Sequence, residues 1–321
     1  MIKIRRHISI STILIFMVSI TFAIVIGSGL YGYGSDYYAA YYIHNIGWGG
    51  IFDRLGYILA TLSINNVHIG VHIVTFLLSL SSGYLIREHL KFKKSYSLIL
   101  FIFIYLIAIH TWPIIMSTSN AMRQGLAMSL IFMGLVASSR KSYYWVLLFC
   151  FMSIFMHRSG LILSAIILFS HFINYFLERF SIERRALINL LLGMLVLISA
   201  YLFLSIFTLG GVGESSRIIR GDFRAAFILI GFAYVALSFF YKSILSNPFN
   251  LTLYYFSFVA PAFLLNDLNW QYERLGMMML IPYIFSFGVV LNRNSYKIYT
   301  ISIFAALLFL TFFMGMYASL R

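Results

Sequence analysis

The chain has 321 residues, of which 61% are hydrophobic and 10% charged, with a formal net charge of +14. The apolar residues fall in runs of about 16 to 22, which exceeds what a water-soluble core uses and matches the roughly 20 helical residues that cross a bilayer. The runs are continuous rather than alternating, which excludes a transmembrane barrel, and the basic residues are spread over short polar gaps, which excludes a contiguous nucleic-acid surface.

In chain order, hydropathy predicts eleven spans, at 8–27, 66–86, 96–112, 121–138, 143–157, 160–177, 186–208, 225–242, 250–266, 275–291 and 298–317. The fold class is therefore all-α and polytopic, one integral-membrane domain over 1–321. The first span follows Lys3, Arg5 and Arg6. It is longer than a signal-peptide core and lacks a small-x-small cleavage site, so it is expected to stay as a helix. Alternate gaps between the spans, counted from this N-terminus, hold 15 basic residues against three acidic ones; the other gaps hold eight against six. The first set is the cytoplasmic face by the positive-inside rule, and arginine on the other face needs a different reason. The lone cysteine, Cys150, permits no intrachain disulfide.

Three outer segments exceed what a connection needs: Gly27 to Asn66, Leu209 to Arg224 and Asn266 to Arg274. In the first, Asp36 and Asp53 flank an aromatic run. If that run is α-helical, Tyr37, Tyr41, His44 and Trp48 share a face, with Tyr38 beside it. Such rings serve as an interfacial belt or stack on sugars, and either acid could act as a general base. The stretch from Asp53 to Leu62 is amphipathic and too short to span, so it is expected at the interface. His68 and His72 have the i, i+4 spacing of metal ligands, but no HExxH pattern or third ligand accompanies them, and no metal is expected.

Ser119 and Asn120 are good helix N-caps ahead of Arg123, which opens the fourth span as Arg-Gln-Gly-Leu-Ala. An arginine entering the membrane usually faces a cavity and a partner, and a helix N-terminus suits an anion; the alternative is a side chain snorkelling to the interface. His157 and Arg158 end the fifth span, where a histidine can pass a proton or, protonated, bind a phosphate. Arg217, Arg220 and Arg224 are spaced i, i+3, i+7, so a helix would line up three phosphate-binding forks. Arg274 stands at the mouth of the tenth span and repeats the logic of Arg123.

Taken together, the early Asp36 with its tyrosines, Asp53 before Gly56-Tyr57, Arg123-Gln-x-Leu-Ala, His157-x-Ser-Gly-Leu and Tyr272-Glu-Arg-Leu resemble the EpsG family, part of the wider Wzy group of O-antigen and exopolysaccharide polymerases. One departure is Asp53, where glutamate is expected. The resemblance implies a GT-C-like fold and a metal-independent glycosyltransferase without a cofactor. Its donor and acceptor would be undecaprenyl-diphosphate-linked oligosaccharides on the outer face of the bacterial cytoplasmic membrane, with a chain-length regulator as a further partner. In that scheme Arg123, Arg274 and the Arg217, Arg220 and Arg224 group bind the diphosphate. Asp36, Asp53 or His157 supplies the base, and Tyr37, Tyr38, Tyr41 and Trp48 hold sugar. Two rivals are a flippase and a membrane acyltransferase. The first predicts charge through the membrane and on both faces, whereas the spans are nearly free of ionisable groups and the acids cluster outside; the second predicts histidine and arginine near the inner side, whereas His157 and Arg123 fall on the outer side.

Overall fold

The computed structural model describes residues 10–29, 33–34, 37–42, 54–64, 67–90, 96–209, 224–266 and 269–292. Nearly all of them are helical. The helices are α1 (Ile10–Gly27), α2 (Arg54–Ala60), α3 (Ile69–Leu90), α4 (Tyr96–Ile109), α5 (Trp112–Ser119), α6 (Met122–Ser139), α7 (Tyr143–Met156), α8 (Ser159–Leu177), α9 (Ile182–Leu209), α10 (Arg224–Phe240), α11 (Pro248–Leu265) and α12 (Asn269–Asn292). A two-residue hairpin, β1 (Ser63–Ile64) with β2 (Val67–His68), precedes α3. The first ten expected spans each fall on a helix; the eleventh, 298–317, lies outside the described residues.

Among the described residues, five helices are long and apolar enough to cross a membrane: α1, Ile69–His89 of α3, α8, Ile182–Ile206 of α9, and α11. The protein is thus a polytopic, membrane-embedded helical chain. A sixth candidate span is a broken one, Phe101–Ile109 and Trp112–Ser119, bent by 52°. The sequence reading ends a span at residue 112 and marks no helix between there and 121. The chain instead turns at Thr111, whose backbone is extended (φ −68°, ψ 148°), and restarts where Pro113, lacking an N–H, fits a helix's first turn. Helices such as α7, with 14 residues, reach only about 21 Å at 1.5 Å per residue, short of a bilayer core. α6 is as long as α1, but Arg123, Gln124 and Gly125 make its first turn polar.

The described residues of Met1–Val136 and Phe151–Gly160 form one compact unit, and those of Ala137–Cys150 and Leu161–Phe304 a second. In the first unit α1 packs along α3 through two glycines. A Cβ on Gly27 would lie 2.1 Å from His72 Nε2, and one on Gly83 would lie 2.8 Å from Ile15 Cγ2. Between these contacts the buried Tyr105 hydroxyl of α4 sits 2.8 Å from both Ser19 Oγ and Ser79 Oγ and donates to Ser79 O at 2.9 Å. Lipid cannot satisfy polar groups, so such bonds tie helices together where hydrophobicity alone does not discriminate. At the end of α3, Arg87 donates to Thr12 Oγ1 (2.5 Å) and lies over the Tyr84 ring.

The second unit centres on α11, almost wholly buried from Pro248 to Phe263. Tyr255 donates its hydroxyl proton to Asn189 Oδ1 of α9. The Tyr234 hydroxyl of α10 meets Ser286 Oγ of α12 at 2.8 Å, and Ser286 Oγ donates to Asn250 Oδ1 at 2.9 Å.

Candidate functional site

The site is built in the first unit, where four glycines let backbone meet backbone or side chain. Leaving α1, the chain takes a left-handed turn at Gly29 (φ 79°), and the Tyr33 hydroxyl donates to Gly27 O at 2.8 Å. Gly34 then donates its N–H to Ser119 O (3.3 Å), so close that a Cβ would lie 2.3 Å from Asn120 Cγ. α2 approaches the end of α7, where a Cβ on Gly56 would lie 2.0 Å from Met156 O. Gly70 faces Ala60 O at 1.9 Å in the same sense. These contacts gather the end of α1, the starts of α3 and α6, and the end of α7 at one end of the unit. That end carries Arg123 and His157.

Between Gly34 and α2 the aromatic run forms a π-helical turn, Tyr37–Tyr42, rather than the α-helix expected. Its wider i→i+5 turn still sends residues four apart to one side. Tyr37 and Tyr41 are buried, while Tyr38 is 53% exposed. Tyr37 stacks on Tyr33 with centroids 4.3 Å apart and meets His68 edge-on at 5.6 Å. Tyr41 lies 6.3 Å from the Tyr57 ring. Among the described residues of the expected sugar face, Tyr37 and Tyr41 are buried and Tyr38 is exposed. His44 and Trp48 lie outside the described residues, as do Asp36 and Asp53.

Arg123 is the second residue of α6 and only 8% exposed. Burial pushes the neighbouring Tyr57 phenol above its ordinary value; the Arg123 cation pulls it back and Tyr41 raises it further. Arg123, Tyr57 and Tyr41 therefore form one electrostatic group. The expected N-caps behave differently from the sequence reading. Asn120 caps the C-terminus of α5, donating its N–H to Met116 O (3.3 Å), and Ala121 donates to the same carbonyl at 2.9 Å. The residues that look like the start of one helix finish another, because α5 runs into α6 through a loosened turn.

His157 occupies the corner between α7 and α8, half-buried, with Arg158 exposed beside it. Ser159 donates its backbone N–H to His157 Nδ1 (3.2 Å), and its hydroxyl lies 2.6 Å from the same nitrogen. Gly160 closes the corner with an N–H to His157 O (2.8 Å) and packs on Ser153 O. His72 Nδ1 contacts the His68 carbonyl (3.2 Å), and His68 belongs to β2, so the two rings do not stand side by side on one helix. Among the described residues no three His, Cys, Asp or Glu side chains cluster as metal ligands.

The remaining expected residues separate. Arg274 belongs to the second unit and is half-buried. It lies in the second turn of α12 rather than at the helix mouth, because the helix begins at Asn269, beyond the apolar stretch that hydropathy marks. Arg224 opens α10, where the backbone alone is described; Arg217 and Arg220 lie outside the described residues. The sequence by itself assigned no role to Tyr33, Tyr57 or Ser159, although Gly56 next to Tyr57 signals close backbone approach and a Ser two residues after His signals a local bond. Against known proteins, the chain matches no family model, no curated relative and no solved structure.

Proposed function

We propose that this protein polymerises lipid-linked sugar repeats, as its resemblance to the EpsG and Wzy group implies. A growing glycan would be transferred from undecaprenyl diphosphate to the terminal hydroxyl of an incoming repeat. The observation that carries the reading is Arg123, buried in the first turn of α6 beside Tyr57 and at the same end of the unit as His157. The bond that breaks joins the anomeric carbon to a diphosphate oxygen, and charge develops on that oxygen. A fixed guanidinium at a helix N-terminus would stabilise it bidentately. Arg274 and the Arg217, Arg220 and Arg224 group would add cations, Asp36, Asp53 or His157 would take the acceptor proton, and Tyr38 with Trp48 would stack on sugar. Direct displacement inverts the anomeric centre. The scheme puts this end of the helices on the outer face of the bacterial cytoplasmic membrane. It also takes eleven crossings in a GT-C-like arrangement, with shorter helices such as α7 crossing a locally thinned bilayer.

The test replaces Arg123, His157 and Arg274 singly by alanine in cells that make the polymer. Loss of long chains with single repeats still exported supports polymerisation. Loss of all surface sugar would mean a flippase instead. Turnover of a lipid-diphosphate repeat by purified protein in excess EDTA checks that the cations are arginines.

A further inference from the structure

The second unit holds two buried polar side chains whose hydrogen bonding its own residues do not complete. His171 and Asn174 stand one turn apart on the same face of α8, each 8% exposed. His171 Nε2 lies 2.8 Å from Ser138 Oγ, at the end of α6, while Nδ1 has no partner among the described residues. Asn174 Nδ2 donates to Glu178 Oε1 at 3.5 Å, and its Oδ1 likewise has none. Buried polar atoms are costly to leave unpaired. Oδ1 can only accept, and Nδ1 accepts when Nε2 carries its hydrogen to Ser138. A group that completes both must therefore bring hydrogen-bond donors.

The pair stands beside a basic turn. Lys141 donates its N–H to Ser138 O (3.0 Å) and Ser142 donates to Ala137 O (3.0 Å), closing the link from α6 to α7 next to the serine that bonds His171. Lys141 takes a left-handed conformation there (φ 56°). Arg140 and Lys141 are exposed, as are Arg179 and Arg184 where α8 gives way to α9. Tyr143, the exposed first residue of α7, rests its ring edge-on against His171 with centroids 5.5 Å apart. Tyr144, Trp145 and Tyr175 of the same two helices are exposed as well, and rings of this kind mark the depth of lipid headgroups.

We propose that this corner binds the headgroup of an anionic glycerophospholipid of the phosphatidylglycerol type. The phosphate lies on the cations of the turn, and the glycerol hydroxyls donate to His171 Nδ1 and Asn174 Oδ1. The two halves of the site select this headgroup jointly. Phosphatidylethanolamine brings donors without net charge, and phosphatidic acid brings charge without glycerol hydroxyls. Tyr143 is the side chain that swings aside to admit the headgroup, since an exposed ring at the start of a helix rotates without disturbing a core. Basic pockets between helices on the cytoplasmic side are where anionic headgroups bind, and the positive-inside rule assigns this turn to that side. The site stands whether or not the protein is a polymerase.

Native mass spectrometry of the full-length protein tests this, with phosphatidylglycerol, phosphatidylethanolamine and phosphatidic acid of identical acyl chains. Wild type should retain phosphatidylglycerol at least about fivefold better than phosphatidylethanolamine, the factor that one cation near the surface supplies. It should also prefer phosphatidylglycerol to phosphatidic acid. Asn174→Leu should erase the second preference and Lys141→Gly most of the first. Glycine suits the left-handed position at 141, so that variant keeps the turn. Removing an unpaired acceptor should not lower the lipid-free unfolding temperature of Asn174→Leu, which separates loss of the site from loss of the fold. Equal retention of phosphatidylglycerol and phosphatidylethanolamine by wild type overturns the proposal. Equal retention of phosphatidylglycerol and phosphatidic acid reduces the site to charge and removes His171 and Asn174 from it. Unchanged selectivity in both variants puts the lipid elsewhere and overturns the site.

Discussion

Arg123 and Arg185 both stand in the first turn of a helix, where the macrodipole disfavours a cation, and the chain treats them in opposite ways. Arg185 of α9 reaches back across its corner. Its Nε donates to Phe180 O at 2.9 Å and its Nη2 to Glu178 O, so it serves carbonyls left open as α8 ends. Arg123 of α6 is buried and electrostatically coupled to the Tyr57 phenol, which Tyr41 also perturbs. One cation finishes a turn at the surface, while the other is held in a place that disfavours charge. Position relative to a helix end does not separate them; burial and neighbours do.

The largest expected effect breaks that contrast directly. If the protein is the proposed polymerase, Arg123→Ala should reduce polymer synthesis by about 10²- to 10³-fold, the loss typical of a donor aimed at developing charge, and Arg123→Lys should recover little because the planar fork is gone. Arg185→Ala should leave chain length unchanged, since surface contacts of this kind contribute about 0 to 1 kcal/mol. Equal losses in the two variants, measured as polymer length at matched protein levels, would remove the distinction. Arg274→Ala should fall between them, because the polymerase reading gives it a diphosphate contact that Arg185 lacks, while Arg123 is the more deeply buried.

Next in size is the scaffold that brings α2 under Arg123. Gly56→Ala places a methyl 2.0 Å from the Met156 carbonyl oxygen, which is backbone and cannot swing aside. Overpacking of this kind destabilises by about 1 to 3 kcal/mol. α2 should shift, with activity lost while the membrane-spanning helices still fold. Gly231→Ala in the second unit is the control: its Cβ would meet nothing nearer than 3.3 Å. Thermal unfolding should separate the two variants. A smaller effect is expected at Tyr105→Phe, which removes the hydroxyl shared by Ser19 and Ser79. Interhelical hydrogen bonds in membranes average about 0.6 kcal/mol, so a slightly lower unfolding temperature with unchanged chain length is expected.

How much of this was legible in the sequence follows from which forces act locally. Hydropathy located helices well because lipid leaves backbone groups no partner outside the chain. It misplaced helix ends, as at Arg274, because apolarity marks the bilayer and not the hydrogen-bonded turn. It closed a span at 112 and left out the short helix that follows, although Thr111 and Pro113 make the break and restart physically sensible once seen. Arg123 and His157 stood out because charge is rare in this chain. Their neighbours did not. Tyr57 reaches Arg123 only after Gly56 has docked α2 on α7, a contact across a hundred residues that no local pattern encodes. Ser159, two residues from His157, was within reach of local reasoning, since a serine so placed commonly bonds its neighbour's side chain or backbone.

The smallest effect is also the most specific reading of the Arg123 neighbourhood. Burial raises the Tyr57 phenol above 10.0, so above that pH the unfolded chain releases a proton that the folded one keeps. The stabilisation this gives is fully present below pH 10 and is lost as pH rises towards the folded value. Tyr57→Phe removes this contribution, so its stability should fall less than that of wild type as pH rises past the ordinary tyrosine value. Arg123 attracts the phenolate and holds the shift down. Arg123→Ala should therefore raise the Tyr57 value further and steepen the alkaline loss, whereas Arg185→Ala should leave the slope as it is. The double variant, Arg123→Ala with Tyr57→Phe, should follow the shallow curve of Tyr57→Phe alone. A slope that ignores Tyr57 in the Arg123→Ala background would mean that the two side chains are neighbours without coupling, and that burial alone sets Arg123 apart from Arg185.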